Sequence, residues 1–241
     1  MPNDETNVRT IAVVSYPGLT LLDLVGPLQV LTDLETFAPQ FRTVVVGDEA
    51  EPMDTDIGLR VVPERTFEEV PHPSVVIVPG GRGGTIRAMS DLRVRAYVRS
   101  AAATADVVGS VCTGSLILGA LGMLEGRPAT TNWFFSGVLK PLGARYRRTR
   151  WVEDGNVIMS AGVSAGIDMA LFLAARLTDE ATARRVQLAM DYDPRPPAGG
   201  IDWAHVPPLP RAMRAAIGLA APAIAARPRR ITRRERQAVS G

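Results

Sequence analysis

The sequence predicts an α/β protein with a mostly parallel sheet covered by helices on both faces. Short β-branched apolar runs alternate with longer stretches whose apolar residues recur at helical spacing. Turns rich in glycine and proline separate the two kinds of segment. The chain has 241 residues, of which 46% are hydrophobic and 22% charged. This balance is that of a globular protein with a substantial core and excludes disordered, collagenous and coiled-coil classes.

The alternation defines the expected elements in order. Five apolar runs are predicted to be buried strands, at residues 10–16, 41–46, 75–78, 107–110 and 157–160. A helix is expected to begin near Gly26, because Pro27 fits only a first turn, and this leaves Asp23 on the preceding loop. Ser90 is the expected N-cap of the helix at 91–103. Further helices are predicted at 115–124, 165–177 and 180–191.

The chain is expected to divide into one packed domain and two terminal extensions. Residues 1–9 form a flexible N-terminus, and residues 10–200 form the domain, which closes where a proline-rich segment breaks the pattern at 193–197. Residues 201–226 are predicted to be partly helical. Residues 227–241 form a mobile tail that carries six arginines and one glutamate. The net charge of +2 therefore comes from a tail of +5, while residues 1–226 sum to −3, and we expect no nucleic-acid partner.

Composition also limits the sites the chain can hold. One cysteine and two histidines, His72 and His205, exclude a disulfide framework and make a metal site unexpected. The polar first ten residues do not resemble a secretory signal, and a lone thiol suits a reducing cytoplasm. Residues 107–124 carry no charge over a length that could span a membrane, but their glycines and hydroxyls predict a strand, a turn and a helix instead.

The single cysteine lies where a buried strand runs into a helix, in the segment Ser110-Val111-Cys112-Thr113-Gly114. A sharp turn at such a point pushes the side chain out above the sheet, and the helix N-terminus offers free N–H groups. Both features favour a thiolate and leave donors for a developing anion. The alternative is that Cys112 is a small hydrophobic residue filling a gap in the core.

Two further features follow predicted strands and are expected to meet Cys112 at one edge of the sheet. Gly80 and Gly81 open a glycine run that could form a tight turn, one wall of an oxyanion pocket or, less in keeping with its motif, a phosphate site. Asp23 stands among apolar residues, where it could cap a helix or exchange a proton with a neighbouring thiol. Farther along, Ser164 is interpreted mainly as an N-cap and Asp168 as a first-turn acid that compensates the helix dipole.

These residues resemble the DJ-1/PfpI superfamily and, within it, the isonitrile hydratase-like branch. The resemblance covers about residues 10–200 and is carried by segments at 16–18, 21–27 (LLDLVGP), 78–81 (VPGG), 110–114 (SVCTG), 129–133 (ATTNW), 162–168 and 191–194. It implies a flavodoxin-like three-layer sandwich with a cysteine nucleophile elbow, and a homodimer. It also implies catalysis by Cys112, Asp23 and Thr113. Asn132 stands where the branch usually has histidine.

The resemblance implies the hydration of an isonitrile to an N-substituted formamide without metal or organic cofactor. Cys112 would attack the terminal carbon and Asp23 would deliver a proton, so that a thioimidate forms and water then opens it. The Thr113 hydroxyl would orient water or the intermediate, and the backbone N–H groups of Gly81 and Thr113 would stabilise developing charge. The oxyanion and substrate pocket would be formed by Gly80, Gly81, Asn132, Trp133 and Ser164. Three other functions stay open: a cofactor-independent glyoxalase, a ligand-sensing regulatory domain and a redox sensor that uses Cys112.

Overall fold

A computed structural model describes residues 8–206. The strands are β1 (Arg9–Val14), β2 (Phe41–Gly47), β3 (Met53–Asp54), β4 (Arg60–Val61), β5 (Arg65–Thr66), β6 (Val75–Val78), β7 (Val107–Val111), β8 (Pro128–Ala129), β9 (Arg145–Tyr146), β10 (Trp151–Asp154) and β11 (Val157–Ser160). The helices are α1 (Leu21–Phe37), α2 (Arg82–Ala88), α3 (Leu92–Thr104), α4 (Gly114–Ala120), α5 (Ser136–Leu139), α6 (Ala165–Leu177) and α7 (Glu180–Ala189), with a 3₁₀ turn at Trp133–Phe135.

Seven strands form the main sheet in the order β10-β11-β7-β6-β1-β2-β5. Every neighbouring pair is parallel except β10 and β11, which form a hairpin. The long parallel strands therefore follow the flavodoxin-like order 2-1-3-4-5. The four residues of β6 and the five of β7 are all buried, as expected of strands covered on both faces.

Helices cover both faces of this sheet. The connection from β1 through α1 to β2 runs in one direction across the sheet, and the connections from β6 to β7 and from β7 to β11 run in the other. Right-handed crossovers therefore place α1 on one face and α3 and α4 on the opposite face. The C-terminal helices α6 and α7 pack against α1. The predicted three-layer flavodoxin-like α/β fold is confirmed.

The beginning of α1 differs from its prediction. The helix begins at Leu21 and contains Pro27 at its seventh position, so Asp23 lies in the first helical turn and not on a loop. A proline so near the N-terminus removes one N–H group and is tolerated where packing holds the helix. Here Leu24, Val30 and Leu31 anchor the same helix in the core. Tertiary packing thus overrides the local preference against an internal proline.

Two predicted helix caps also differ. The N-cap of α3 is Asp91, one residue after Ser90, and its carboxylate accepts the N–H groups of Arg93 and Val94. Ser164 precedes α6 as expected, but its side chain makes no capping hydrogen bond.

Only a short part of the predicted terminal extensions lies within the described residues. Residues 201–206 of the expected extension form no helix. The predictions for residues 1–7, for 207–226 and for the arginine-rich tail lie outside the described residues. None of the helices between residues 8 and 206 is long and apolar enough to span a membrane.

Candidate active site

Cys112 forms a strained elbow between β7 and α4. Its backbone φ is +56°, a conformation that non-glycine residues adopt at a cost of about 1 kcal/mol and that recurs at active sites. Its N–H donates to the carbonyl of Ser160 across 3.0 Å, and its carbonyl accepts the hydroxyl of Thr131 across 3.0 Å. A Cβ on Gly114 would lie 2.0 Å from the carbonyl oxygen of Val78, so only glycine fits after the elbow. The elbow is therefore held from three sides.

Asp23 projects from the first turn of α1 toward the elbow and is fully buried. Its Oδ2 accepts the backbone N–H of Gly80 across 3.1 Å, while no group within residues 8–206 donates a well-aligned hydrogen bond to its buried Oδ1. Burial raises the pKa of this carboxyl from 3.8 to about 7, although the Cys112 thiol and the Gly80 N–H lower it. The nearby charge of Asp56 raises the pKa further. Asp23 therefore exchanges its proton near neutral pH.

The surroundings of the Cys112 thiol raise its pKa, which opposes the expected preference for a thiolate. Burial raises its pKa far above the usual range, and the charge of Asp23 adds to the increase. The N–H of Thr113 and the side chain of Asn132 donate toward the sulfur and lower the pKa, but they do not offset burial. The helix that follows, α4, has only seven residues. A short helix dipole therefore does not overcome the loss of hydration.

The loop after β6 holds the site side chains with its backbone. The N–H of Gly80 serves Asp23, and the N–H of Gly81 donates to the Thr113 hydroxyl across 2.9 Å. A Cβ on Gly80 would lie 2.6 Å from the Thr113 nitrogen and 2.7 Å from the Asp23 Oδ2. Both N–H groups therefore have acceptors within the protein, and the expected oxyanion role of this loop and of the Thr113 N–H stays a prediction.

A cavity of about 400 Å³ opens above Cys112. Its lining combines polar groups at the elbow with an aromatic wall from the 3₁₀ turn: Thr20, Asp56, Arg82, Cys112, Thr113, Asn132, Trp133, Phe134, Phe135 and Val163. The Asn132 Oδ1 accepts the N–H of Phe134 across 3.1 Å, which directs the other end of the amide, its NH₂ group, toward the thiol. The arrangement places the thiol on the lining of a chamber that has an aromatic wall and two charged residues, Asp56 and Arg82, and it places the buried carboxyl of Asp23 directly behind the thiol.

The structure brings most of the predicted site residues together. Cys112, Thr113, Asn132 and Trp133 line the cavity, and Asp23, Gly80 and Gly81 lie directly behind it.

Ser164 is the exception, because it lines a neighbouring cavity of about 440 Å³ that shares Trp133 and Val163 with the first. Asp168 does more than compensate a helix dipole, since it pairs with Arg150 and accepts the hydroxyl of Tyr192.

Several residues of the site were missed by sequence reasoning. The hydroxyls of Tyr16 and Thr85 lie behind Thr113, and Phe134 and Phe135 complete the cavity wall. Tyr16 belongs to a segment that carries the resemblance, so that segment contained a usable signal. Nothing in the linear pattern distinguishes Thr85, because its role depends on a contact 28 residues along the chain.

The part of the chain that the structure describes contains no set of side chains arranged to bind a metal ion. No group of three or more His, Cys, Asp or Glu side chains there is arranged to hold an ion.

The chain is similar in sequence and fold to several known proteins. The chain is 43% identical to isonitrile hydratase from Pseudomonas putida over 188 residues, which cover 78% of this chain and 80% of that enzyme. A solved THiJ/PfpI family protein from Pseudomonas syringae superposes with a TM-score of 0.79 and 35% identity, over 93% of this chain and 95% of that one. The regulator GbdR from Pseudomonas aeruginosa is 26% identical over 181 residues, which cover 73% of this chain and 48% of the regulator.

The match to a family model is equally extensive. Residues 9–176 match the DJ-1/PfpI family, and they include β1, the Asp23 turn, the glycine loop, the cysteine elbow and most of α6. The match thus covers well over half of the chain and contains every residue placed around the thiol. This chain belongs to the DJ-1/PfpI family.

Proposed function

We propose that this protein hydrates an isonitrile, R–NC, to the N-substituted formamide R–NH–CHO. The observation that carries the proposal is the buried contact between the Cys112 thiol, which lines the cavity, and the Asp23 carboxyl behind it. The reaction needs one group to supply sulfur and another to move a proton, and this pair offers both. The 43% identity to a curated isonitrile hydratase supports the same reaction.

The first half-reaction adds the thiol to the terminal carbon of the isonitrile. Asp23 in its protonated form delivers a proton to that carbon while the sulfur of Cys112 bonds to it, and the carboxyl recovers a proton from the thiol. The product is a thioimidate, R–N=CH–S–Cys112, and no atom is lost or left over. A pKa of about 7 suits this role, because a general acid works best when its pKa lies near the working pH.

The second half-reaction opens the thioimidate with water. Asp23, protonated at the end of the first half-reaction, gives its proton to the imidate nitrogen, and the resulting carboxylate takes a proton from the water as the water oxygen adds to the imidate carbon. The carbon–sulfur bond then breaks, the hydroxyl proton of the adduct passes to the departing sulfur, and the formamide and the Cys112 thiol are released. Donors around the sulfur, the Thr113 N–H and the Asn132 side chain, stabilise the leaving thiolate. The scheme draws every transferred atom from the isonitrile, water, Cys112 and Asp23, without a cofactor.

One wall of the cavity suits an apolar substituent, while Asp56 and Arg82 line the cavity elsewhere. Trp133, Phe134 and Phe135 form one side, and none of the three is fully buried, so their rings are available to a ligand. Aromatic rings contribute large contact areas to ligand binding. An alkyl or aryl isonitrile therefore fits this chamber in chemistry and in size.

Product analysis tests the proposal directly. Wild-type protein and the Cys112→Ala variant are incubated with cyclohexyl isocyanide, and N-cyclohexylformamide is quantified. We expect product from the wild type alone, together with a transient adduct on Cys112 equal in mass to the substrate. Full turnover by the variant would exclude the thioimidate, and no turnover by folded wild type would exclude the reaction.

Alternative functions make different predictions for the same samples. A glyoxalase would consume methylglyoxal faster than any isonitrile, and a redox sensor would lose its free thiol to low concentrations of peroxide. The similarity to GbdR favours a function as a ligand-sensing regulatory domain, although the match spans less than half of that regulator. A salt-dependent shift of DNA that is lost on deleting residues 227–241 would support it.

We also propose that the protein forms a homodimer and acts in the cytoplasm. Leu22 and Val25 on α1 and Ile57 and Leu59 beside it are large apolar side chains exposed to solvent. The two segments are joined by the backbone N–H of Leu21, which donates to the Asp56 carboxylate. Such a patch is typical of an interface. Sedimentation of wild type and Leu22→Asp tests the assembly, with a shift to monomer expected for the variant. Fractionation of the native host tests the compartment.

A further inference from the structure

A chain of buried hydroxyl groups runs behind the cavity and ends on Thr113. The Tyr16 hydroxyl donates to the carbonyl of Pro79 across 2.7 Å. The hydroxyls of Tyr16 and Thr85 lie 3.2 Å apart, and those of Thr85 and Thr113 lie 2.8 Å apart. Tyr16, Thr85 and Thr113 are each at most 2% exposed. The hydroxyls of Tyr16 and Thr85 are therefore shielded from water and need partners within the protein, whereas Thr113 also borders the cavity.

The direction of every hydrogen bond in this chain follows from its end. A carbonyl can only accept, so the single proton of Tyr16 is committed to Pro79. Thr85 must then donate to Tyr16, and because its one proton is used there, Thr113 must donate to Thr85. Burial raises the pKa of Tyr16, so its proton stays in place across the working pH range.

The Thr113 hydroxyl is thereby left with no proton to offer the cavity. Its proton points toward Thr85, and its oxygen already accepts the Gly81 N–H across 2.9 Å. A hydroxyl oxygen has two lone pairs, so one remains for a further donor. Because Thr113 lines the cavity beside Cys112, that lone pair is open only to a group that donates from the cavity side.

We infer that Thr85 is a positioning residue that turns Thr113 into a pure hydrogen-bond acceptor for the water of the second half-reaction. The inference rests on the proposed function. A water that donates one O–H to Thr113 has its second proton free for Asp23 and a lone pair free for the imidate carbon. A Thr113 hydroxyl that donated instead would occupy that lone pair and weaken the nucleophile.

Substitution at Thr85 tests the inference by separating the hydroxyl from its methyl group. Thr85→Val keeps the shape and removes the acceptor for Thr113, whereas Thr85→Ser keeps the hydroxyl. We expect kcat to fall about tenfold in the valine variant and to stay within about twofold of wild type in the serine variant. The thioimidate adduct should accumulate in the valine variant, because only its hydrolysis slows. Thr130→Val is the matched control, since that buried hydroxyl donates to the carbonyl of Thr149 outside the cavity.

A readout on the thiol separates positioning from general disturbance. Thr85 does not contact the sulfur, so iodoacetamide should alkylate Cys112 at the same rate in wild type and in both Thr85 variants. Wild-type kcat in Thr85→Val would overturn the inference. Equal losses in the valine and serine variants would also overturn it, because packing and not hydrogen bonding would then be responsible.

A double-mutant cycle tests the hydroxyl chain without any substrate. Thr85→Val, Thr113→Val and the double variant are compared in free energy of unfolding. Hydrogen-bonded partners should give non-additive losses, because either single substitution leaves the other hydroxyl unpaired. Additive losses would show that the hydroxyls of Thr85 and Thr113 are not hydrogen-bonded, and this would overturn the inference. Should wild type turn over no isonitrile, the proposed function fails while this cycle still decides whether the chain exists.

Discussion

The backbone N–H of Gly80 donates to the Oδ2 of Asp23 across 3.1 Å, and it joins the loop after β6 to the first turn of α1. The bond leaves no room for a side chain, because a Cβ at residue 80 would lie 2.7 Å from the same oxygen. One glycine thus sets both the position of the carboxyl and part of its acidity. The consequences of burying this carboxyl beside a thiol can be measured in several ways.

The rate of thioimidate formation should depend on the protonation of Asp23. The carboxyl has a pKa of about 7, so its acid form predominates below that pH and is lost above it. We therefore expect kcat/KM to fall about tenfold for each pH unit above about pH 8. A pH–rate profile with cyclohexyl isocyanide checks this, and a profile that rises through pH 8 would contradict the assignment of Asp23 as the acid.

Asp23→Asn should make the protein more stable at alkaline pH. The folded carboxyl has a pKa of about 7 against 3.8 ordinarily, so folding takes up a proton between these values. Wild type therefore loses stability as pH rises from 3.8 to about 7 and loses little more above it. Asparagine can still accept the Gly80 N–H and does not titrate. The gain at pH 8 should reach about 4 kcal/mol and disappear toward pH 4. Denaturant unfolding at several pH values measures the difference in free energy of unfolding between Asp23→Asn and wild type. A purely structural effect would leave this difference independent of pH.

The strain at the elbow predicts an inverted order of two variants. Glycine normally destabilises a folded chain relative to alanine. Residue 112, however, has a φ of +56°, which glycine adopts without strain. We expect Cys112→Gly to be more stable than Cys112→Ala by about 1 kcal/mol. Thermal unfolding of the two variants compares them directly. The ordinary order, with alanine the more stable, would show that the elbow is relaxed.

Asn132 should control the reactivity of the thiol. Its side chain donates toward the Cys112 sulfur and lowers the thiol pKa, so its loss leaves the thiolate less stable. Asn132→Leu should slow alkylation of Cys112 by iodoacetamide about fivefold to tenfold at a fixed pH, the effect of one hydrogen bond. Asn132→His retains a donor and should recover part of the rate. Unchanged alkylation in the leucine variant would exclude the contact.

The sequence predicts the parallel strands well because their signal is local. Continuous β-branched runs bounded by glycine and proline place β6 and β11 at the correct residues. The start of α1 could not be found in the same way, because Pro27 argues against the helix locally and only contacts with the core reverse that preference. Two-residue strands such as β5 were also missed, since they exist through pairing with β2.

The site was predictable to the extent that topology decides it. Residues that follow β6 and β7 must meet at one sheet edge, and this brings Gly80 to Cys112. The state of the thiol was not predictable, because a helix N-terminus is visible in the sequence whereas the depth of burial is not. The competition for the Gly81 N–H was hidden for the same reason, since Thr113 reaches it only in the folded chain.

The cavity divides into a floor and a wall that differ in their freedom to change. The floor is tied together by the backbone of Gly80, Gly81 and the elbow, where added atoms collide with main chain or site groups. The wall is the short 3₁₀ turn Trp133–Phe135, whose side chains are not fully buried. Natural variation or directed evolution can therefore replace the aromatic side chains of the turn and change which R group of the isonitrile is preferred. The floor, and the reaction that it supports, would stay the same.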